Sequence, residues 1–489
     1  MSIVASTTSG PVEGRDKDGV LLFAGIPYAA PPVGIRRFLP PVAPEPWSDV
    51  RPAKRFSAAA PQIPSGGMTD NAPVNWDEDC LYLNVSTPGL DDKRRPVLVW
   101  IHGGGYRTGQ GAIPWYDGAS FARQGNIVTV SINYRLGALG FTDLSGFGAE
   151  YADSGASGIL DQVLALKWVQ DNIAAFGGDP ARVTIAGESA GGFAVATLLA
   201  SPLTPGLFRA AIPQSGACHH TLTKPAAEAT GKLLLDELGV SSMQALLEVE
   251  AEEILLAQQR VDKRVARGDL DMDLRGVSAF YPVQGTSAIP VDPLEAVRAG
   301  HGADVNVLAG TNKDEATLFI MKEVSEAELN RQVAGYGGDE HLLSAYRSRY
   351  PDASCTDLAI ALSTDFTFRI PCLRLAEARE SVPASRGKTW LYLFAFESRS
   401  RLKSTHALEI PFAFNNLDKP GVAVFLGEGP KPQTVADTMH QAWINFIQDG
   451  TPGWAPFDLQ DRTSMRFDLE SAPVTDPDAG LREAWQGLR

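Results

Sequence analysis

The feature that most constrains this chain is a serine bracketed by glycines, placed between a strand pattern and a helix pattern. An apolar run at 183–186 leads into Gly-Glu-Ser-Ala-Gly at 187–191, and a helical stretch of small residues follows. This G-x-S-x-G arrangement is typical of a nucleophile elbow, in which a sharp turn presents the serine hydroxyl at the head of a helix. The helix N-terminus favours negative charge there. Ser189 is therefore the candidate nucleophile, although an ordinary turn with a surface serine is the alternative for the motif alone.

A second glycine cluster lies upstream. Residues 96–101 form an apolar run of the kind found in buried parallel strands, and it leads directly into His-Gly-Gly-Gly-Tyr at 102–106. Glycines expose backbone N–H groups without a Cβ in the way, as an oxyanion hole made from main chain requires. A flexible loop is the alternative for three glycines in isolation. Together with the downstream elbow, the pattern favours an oxyanion loop.

The serine needs a base, and the chain has seven histidines. In folds with this elbow the order along the chain is serine, acid, histidine, so the base should follow Ser189 by some distance. His406 fits best, because it lies in the loop after a strong strand pattern at 390–396. His102 precedes the serine, and His440 lies in a helical pattern.

The acid should lie between the serine and the histidine. Residues 304–310 have the pattern of another buried strand, and Asp314 and Glu315 follow its C-terminal end. Active-site groups of open α/β sheets collect at that edge. The pattern does not choose between the two carboxylates, because either also suits an exposed position at a helix start.

Several longer motifs, spread over nearly the whole chain, resemble the type-B carboxylesterase and lipase family, which includes bacterial para-nitrobenzyl esterases and animal cholinesterases. They are Phe-Ala-Gly-Ile-Pro-Tyr-Ala at 23–29, Glu-Asp-Cys-Leu-Tyr-Leu-Asn-Val at 78–85, the glycine loop, Asn-Tyr-Arg at 133–135, Phe-Gly-Gly-Asp-Pro at 176–180 and Gly-Glu-Ser-Ala-Gly-Gly at 187–192. The resemblance implies an α/β-hydrolase fold, with a large, mostly parallel central sheet, helices on both faces and helical insertions around the active site.

The resemblance also implies roles for individual residues. Glu315 is expected to be the triad acid and His406 the base. The oxyanion N–H groups are expected to come from Gly104, Gly105 and Ala190. Glu188 and Ser215 are expected to support the site through hydrogen bonds, and a salt-bridged acid and a strand-end serine are the alternative interpretation.

Cysteine usage separates this chain from secreted relatives. Those relatives pair the cysteine of the Glu-Asp-Cys motif with one roughly two dozen residues upstream, where this chain has none, so Cys80 is expected to be a free, buried thiol. The four cysteines show neither close pairing nor metal spacing. We expect no metal and no cofactor.

Aromatic side chains are candidates for the substrate pocket, although aromatic residues at such spacings also suit a core. The candidates are Trp76, Tyr106, Phe366, Phe368, Phe412 and Phe414. Cholinesterases carry a choline-stacking tryptophan about ten residues before the cysteine of the Glu-Asp-Cys motif. This chain has Asp70 there and Met68 nearby, so choline specificity is unsupported.

Charge and hydropathy exclude some classes of partner, and the family resemblance implies a small-molecule ester substrate. The formal net charge of -15 argues against nucleic acid and anionic membranes. No apolar run approaches the ~18 residues of a membrane span, and the start of the sequence does not have the pattern of a signal peptide. A bacterial, cytoplasmic enzyme that is a monomer or a weak homo-oligomer is expected.

The 489 residues exceed the usual domain size, but no linker or break in composition divides them, so one domain over 1–489 is predicted. A loop over the site is predicted at about 61–79, and helical insertions at about 220–280 and 320–385. The strand patterns lie at 81–86, 97–101, 127–132, 183–186, 210–213, 305–309 and 390–396, and an amphipathic helix is predicted between 154 and 176.

The predicted reaction is two-step acyl transfer, in which a serine carboxylesterase hydrolyses esters of small to medium size through an acyl-enzyme. Hydrolysis of carbamates or activated amides by the same triad is the alternative. A non-catalytic binding protein of the same fold is a remote alternative, because all three triad residues are present. A dehalogenase would need an aspartate at the elbow, and Ser189 excludes it.

Overall fold

A mixed sheet runs through the centre of the protein in this computed structural model, which describes residues 3–64, 74–268, 278–383 and 386–489. The strands in those residues are β1 (Val4–Thr7), β2 (Gly10–Glu13), β3 (Arg15–Lys17), β4 (Val20–Pro27), β5 (Arg51–Pro52), β6 (Tyr82–Thr87), β7 (Arg95–Ile101), β8 (Val128–Ile132), β9 (Gly178–Glu188), β10 (Ala210–Gln214), β11 (Asn306–Asn312), β12 (Thr389–Phe394), β13 (Thr463–Phe467) and β14 (Ala472–Thr475). Within the described ranges, eleven of them form the sheet in the order β14-β13-β12-β11-β10-β9-β7-β8-β6-β4-β3, and β1, β2 and β5 form a small separate sheet.

The middle of the large sheet, from β8 across to β13, is parallel, and antiparallel strands complete both edges. Every residue of β7, β8 and β10 is buried, as expected for parallel strands that helices cover on both faces. Each strand pattern of the sequence overlaps one of these strands, and those at 81–86, 127–132, 305–309 and 390–396 extend one or two residues beyond it. The 183–186 pattern is shorter than β9, because the first residues of β9 pair with β7 through an irregular register and include the exposed Ala181 and the partly exposed Pro180 and Arg182.

The helices of the described residues are α1 (Ala119–Gly125), α2 (Gly137–Phe141), α3 (Ser157–Asn172), α4 (Ala190–Ala200), α5 (Lys224–Leu238), α6 (Met243–Leu247), α7 (Ala251–Ala266), α8 (Pro293–Arg298), α9 (Glu326–Gly335), α10 (Glu340–Arg349), α11 (Cys355–Thr364), α12 (Ile370–Glu380), α13 (Ile410–Ala413), α14 (Val422–Leu426), α15 (Gln433–Asp449) and α16 (Ala479–Ala484). None of them is long and apolar enough to cross a bilayer.

Strand β7 shows how the two faces of the sheet are covered. Its alternate side chains Val97, Val99 and Ile101 belong to one apolar cluster, which includes residues of α3 and α4. Leu98 and Trp100 belong to another, which includes residues of α15. Because successive side chains of a strand point to opposite faces, the two clusters are the cores on the two sides of the sheet.

The helix predicted between 154 and 176 is α3, followed by a 3-10 turn that ends at Phe176. Gly177 stops it with a left-handed φ of 76°. A buried ion pair fixes α3 to the loop after β8, since the Arg135 guanidinium donates to both carboxylate oxygens of Asp161, at 2.7 and 2.9 Å. Two of the motif segments, 133–135 and 176–180, therefore contribute residues with structural roles, namely Arg135 and Gly177.

Helices occupy the two segments in which insertions are expected. Helices α5, α6 and α7 lie in 220–280, and α9, α10, α11 and α12 lie in 320–385. A third apolar cluster joins α9, α10 and α11 to α16. Residues 65–73 of the expected loop at 61–79, including Met68 and Asp70, lie outside the described residues, as do 269–277 and 384–385.

Candidate active site

The glycine-bracketed serine lies in the turn between β9 and α4. Ser189 has φ 57° and ψ −124°, a conformation that costs a non-glycine residue about 1–3 kcal/mol. The turn is tight: a Cβ on Gly191 would lie 2.0 Å from the carbonyl oxygen of Ile101, at the end of β7. Ser189 is partly exposed, whereas Glu188 and Ala190 on either side of it are buried. The turn thus leaves the Ser189 side chain accessible while its two neighbours are buried.

The three-glycine loop follows β7 and lies against the same turn. A Cβ on Gly103 would be 2.6 Å from the Glu188 carbonyl oxygen and 3.1 Å from Ser189 Cβ. Among the described residues, the backbone N–H groups of Gly104, Gly105 and Ala190 donate to no acceptor. Free N–H groups beside a serine are suited to stabilising an oxyanion.

A buried acid follows β11, and residues at the carboxyl ends of β10 and β11 hold it by hydrogen bonds. Glu315 is fully buried, and its Oε2 lies 2.6 Å from His406 Nδ1. Its Oε1 accepts hydrogen bonds from Ser215 Oγ at 2.6 Å and from the Asn312 N–H at 2.7 Å. These contacts fix the carboxylate, which in turn fixes the imidazole through its Nδ1.

Asp314, the other acid that the sequence allows, lies one residue earlier. Its carboxylate accepts from the Ser404 N–H at 3.3 Å. Burial raises the pKa of Asp314, while nearby Lys313 opposes that rise. The structure therefore brings Glu315, and not Asp314, to the ring of His406.

The other ring nitrogen of His406 faces a second carboxylate. Its Nε2 lies 3.1 Å from Glu188 Oε1, without the angles of a hydrogen bond. Burial acts to lower the pKa of His406, but Glu188 and then Glu315 outweigh it and raise the pKa to about 9. Burial also raises the pKa of Glu188 well above its usual range. Glu188 and Glu315 therefore favour the imidazolium form of His406, whereas burial disfavours the charged form of Glu188 itself.

A third buried glutamate, Glu409, is absent from the sequence-based prediction. Its carboxylate accepts from Asn312 Nδ2 at 2.6 Å and from Gln214 Nε2 at 3.3 Å, and burial, with Glu315 adding to it, raises its pKa to about 7. The available signal was positional, because Gln214 and Asn312 end β10 and β11 and Glu409 follows His406 by three residues.

Aromatic rings line one side of the histidine. The ring of Phe368 lies 4.7 Å from that of His406, and Phe319 lies 5.2 Å from it. Phe368 also stacks on Phe193 of α4, which stacks on His220. Of the predicted pocket residues, Phe368 is thus beside the triad. Phe193, Phe319 and His220 were not predicted for the pocket.

The other predicted pocket residues lie elsewhere. Phe412 packs on Phe394 and Phe414 packs on Trp100, all within the core on the α15 side of the sheet. The remaining three residues have surroundings of their own: Phe366 stacks on Tyr336 in the third cluster, Tyr106 packs on Phe141 and Tyr281, and the partly buried Trp76 forms an isolated β-bridge with Ala59.

The search for metal ligands covers the described residues alone. Within those ranges, no group of three or more His, Cys, Asp or Glu side chains is arranged to hold a metal ion.

A parallel sheet that carries a strained serine after one strand, and an acid and a histidine after later strands, defines an α/β-hydrolase. The Carboxylesterase family model matches residues 1–479. The chain is 36% identical over 493 residues to the para-nitrobenzyl esterase of Bacillus subtilis strain 168, with 98% of both chains covered. It is 37% identical over 498 residues to the phenmedipham hydrolase of Pseudarthrobacter oxydans, with 96% of both chains covered.

A solved structure agrees with these relatives. A carboxylesterase of Geobacillus stearothermophilus aligns with a TM-score of 0.88 and 38% identity, over 99% of this chain and all of that one. The chain belongs to the carboxylesterase family and is a carboxylic ester hydrolase. The resemblance drawn from the sequence motifs is confirmed.

Proposed function

We propose that Ser189, His406 and Glu315 hydrolyse carboxylic esters by two-step acyl transfer. The observation that carries this proposal is the 2.6 Å contact between the buried Glu315 carboxylate and His406 Nδ1, at the strand edge that also holds the partly exposed Ser189. Neutral His406 accepts the serine proton through Nε2 as Ser189 Oγ attacks the ester carbonyl. Glu315 holds the tautomer that leaves Nε2 free and stabilises the imidazolium that forms.

The tetrahedral oxyanion is held by the N–H groups of Gly104, Gly105 and Ala190, each worth about 10²–10³ in rate. His406 then returns its proton to the leaving alkoxide, which departs as the alcohol. In the second step a water gives a proton to His406 and attacks the acyl carbonyl. The bond between the acyl group and Ser189 Oγ then breaks, His406 returns its proton to Oγ, and the acid is released. Two further residues support the triad. Ser215 orients Glu315, and Glu188 stabilises the imidazolium.

We propose small to medium, uncharged esters as substrates. Phe368 and Phe319 present apolar rings beside His406, which favours hydrocarbon on the acyl or alcohol group rather than charge. The likeness to a para-nitrobenzyl esterase supports the same class.

We further propose that the protein is a bacterial, cytoplasmic monomer or weak homo-oligomer. All four cysteines fall within the described residues and are unpaired, which suits a reducing compartment. The bacterial sources of the first two relatives support the origin. Light scattering after gel filtration tests the oligomeric state.

The deciding experiment combines a variant with a covalent label. Ser189→Ala should fold normally and lose at least about 10³-fold in kcat on a para-nitrophenyl ester, because only binding and the oxyanion hole remain. Ser344→Ala, at an exposed serine of α10, is the matched control and should keep full activity. Mass spectrometry should place an organophosphate adduct on Ser189. An adduct on Ser215 instead, or a fully active Ser189→Ala variant, contradicts the proposal.

A further inference from the structure

Helix α7, in the first helical insertion, reaches the glycine loop through an ion pair. Arg107 directly follows the loop, and its Nη2 donates to Asp262 Oδ1 at 2.6 Å, while Nη1 donates to Oδ2. Arg107 also donates to Ser278 Oγ. The side chains of Arg107 and Asp262 are 26% and 18% exposed, so solvent screens this bidentate pair less than an open surface pair.

A second side chain of α7, one turn earlier, reaches the same loop by another route. Gln258 Oε1 accepts from the Ala138 N–H at 2.7 Å, at the start of α2. The preceding Gly137 donates its N–H to the Tyr106 carbonyl at 2.6 Å. Gly137 has φ 53°, and a Cβ there would lie 2.1 Å from Gln258 Oε1. Residues four apart on a helix share a face, so Gln258 and Asp262 act on the loop together.

The loop needs such support because its backbone is strained. Gly104, Gly105 and Tyr106 have consecutive φ values of 112°, 62° and 58°. For the tyrosine this conformation costs about 1–3 kcal/mol and persists only where surrounding contacts impose it. If the turn relaxed, the N–H groups of Gly104 and Gly105 would leave the positions at which they stabilise an oxyanion.

We propose that Asp262, through Arg107, and Gln258, through α2, are positioning residues that hold the oxyanion loop in its catalytic form. This role rests on the proposed function. Neither side chain touches the reacting atoms. Their contribution is to the transition state, which needs the loop N–H groups in place, and only slightly to substrate binding.

The test compares Asp262→Asn and Gln258→Met with a control variant that removes other contacts of the same helix. Glu237 on α5 pairs with Arg260 at 2.8 Å and Arg264 at 3.0 Å, so Glu237→Gln removes ion pairs of α7 that do not involve the loop. Each loop-side variant should lower kcat on para-nitrophenyl butyrate about 10-fold with KM little changed. The Ki of a trifluoromethyl ketone, whose hemiketal places an oxyanion in the hole, should rise by a similar factor.

The control should keep the wild-type kcat and Ki even if its Tm falls. Asp262→Asn combined with Arg107→Gln should lose no more activity than the worse single variant, because both break one interaction. The inference is overturned if both loop-side variants stay within about 2-fold of wild type in kcat, if the loss appears in KM alone, or if Glu237→Gln shows the same loss. Should Asp262→Asn fail to fold, Gln258→Met decides. A wild-type protein without esterase activity would refute the proposed function instead.

Discussion

Replacing Glu315 by glutamine tests the acid of the triad while preserving its shape. The amide keeps an oxygen that can accept from Ser215 Oγ and the Asn312 N–H, which lie 2.6 and 2.7 Å from the present carboxylate. It loses the negative charge that faces His406 Nδ1. Its NH₂ group can also donate to Nδ1, which moves the ring proton to Nε2, where the base must be free.

The loss follows from the geometry of the pair. With an N–O contact of 2.6 Å, the centres of charge of the imidazolium and the carboxylate are about 4 Å apart. At an effective dielectric constant of about 20, their attraction is about 4 kcal/mol, which corresponds to about 10³-fold in kcat. The wrong tautomer brings the expected loss to between about 10³- and 10⁴-fold.

Asp314→Asn is the matched control, since it changes an adjacent carboxylate that contacts Ser404 instead of His406. It should stay within about 3-fold of wild type in kcat. Stopped-flow measurement of para-nitrophenol release separates acylation from deacylation, and calorimetry verifies that both variants unfold near the wild-type Tm. The assignment is refuted if Glu315→Gln keeps more than a tenth of the wild-type kcat, or if Asp314→Asn is the more damaged variant.

Three further predictions concern protonation, the pocket and the thiols. Glu188→Gln removes the carboxylate that most raises the pKa of His406, so more of the histidine stays neutral at acidic pH. The acidic limb of the kcat/KM profile should therefore move to lower pH by on the order of 1 unit. A limb that keeps its midpoint, or moves to higher pH, contradicts this prediction. Phe368→Ala should change KM or acyl-chain preference, whereas Phe412→Ala should lower stability by about 3–5 kcal/mol with preference unchanged, and the reverse outcome would exclude Phe368 from the pocket. Millimolar dithiothreitol should leave Tm unchanged, because the cysteines are unpaired, and a drop of several degrees would reveal a disulfide.

The central sheet is readable from the sequence because its parallel strands are buried on both faces and so appear as unbroken apolar runs. Strand β7, with all residues buried, matches the run at 96–101 almost residue for residue. Strands β13 and β14, at one end of the sheet, have no such run. Only Ser464 and Phe467 of β13 are buried, and the edge strand β14 has no buried residue and contains Pro473, which an edge strand tolerates.

The site is predictable only as far as chain order and strand ends determine it. These two rules select His406, and they narrow the acid to Asp314 or Glu315. They do not choose between these two adjacent residues, because the backbone conformation after β11 decides which carboxylate enters the core. For Glu409 the positions of Gln214 and Asn312 at strand ends are a signal, but they do not show that the two side chains contact Glu409, because that contact forms only when three separate segments converge.

Backbone strain at the site leaves no trace in composition, and it connects the site to its supporting contacts. Tyr106, Ser189, Ser215 and Ala407 all have φ between 46° and 66°, and each lies in or beside a segment that carries a proposed catalytic group. At about 1–3 kcal/mol each, these conformations persist only while neighbouring contacts outweigh them. Removing one such contact lets a loop relax locally without unfolding the sheet. Substitution of a residue that supports the site without touching the substrate should therefore lower kcat more than it lowers Tm. This difference between the loss of kcat and the loss of Tm should be largest for the oxyanion loop, which combines two glycines with a left-handed tyrosine.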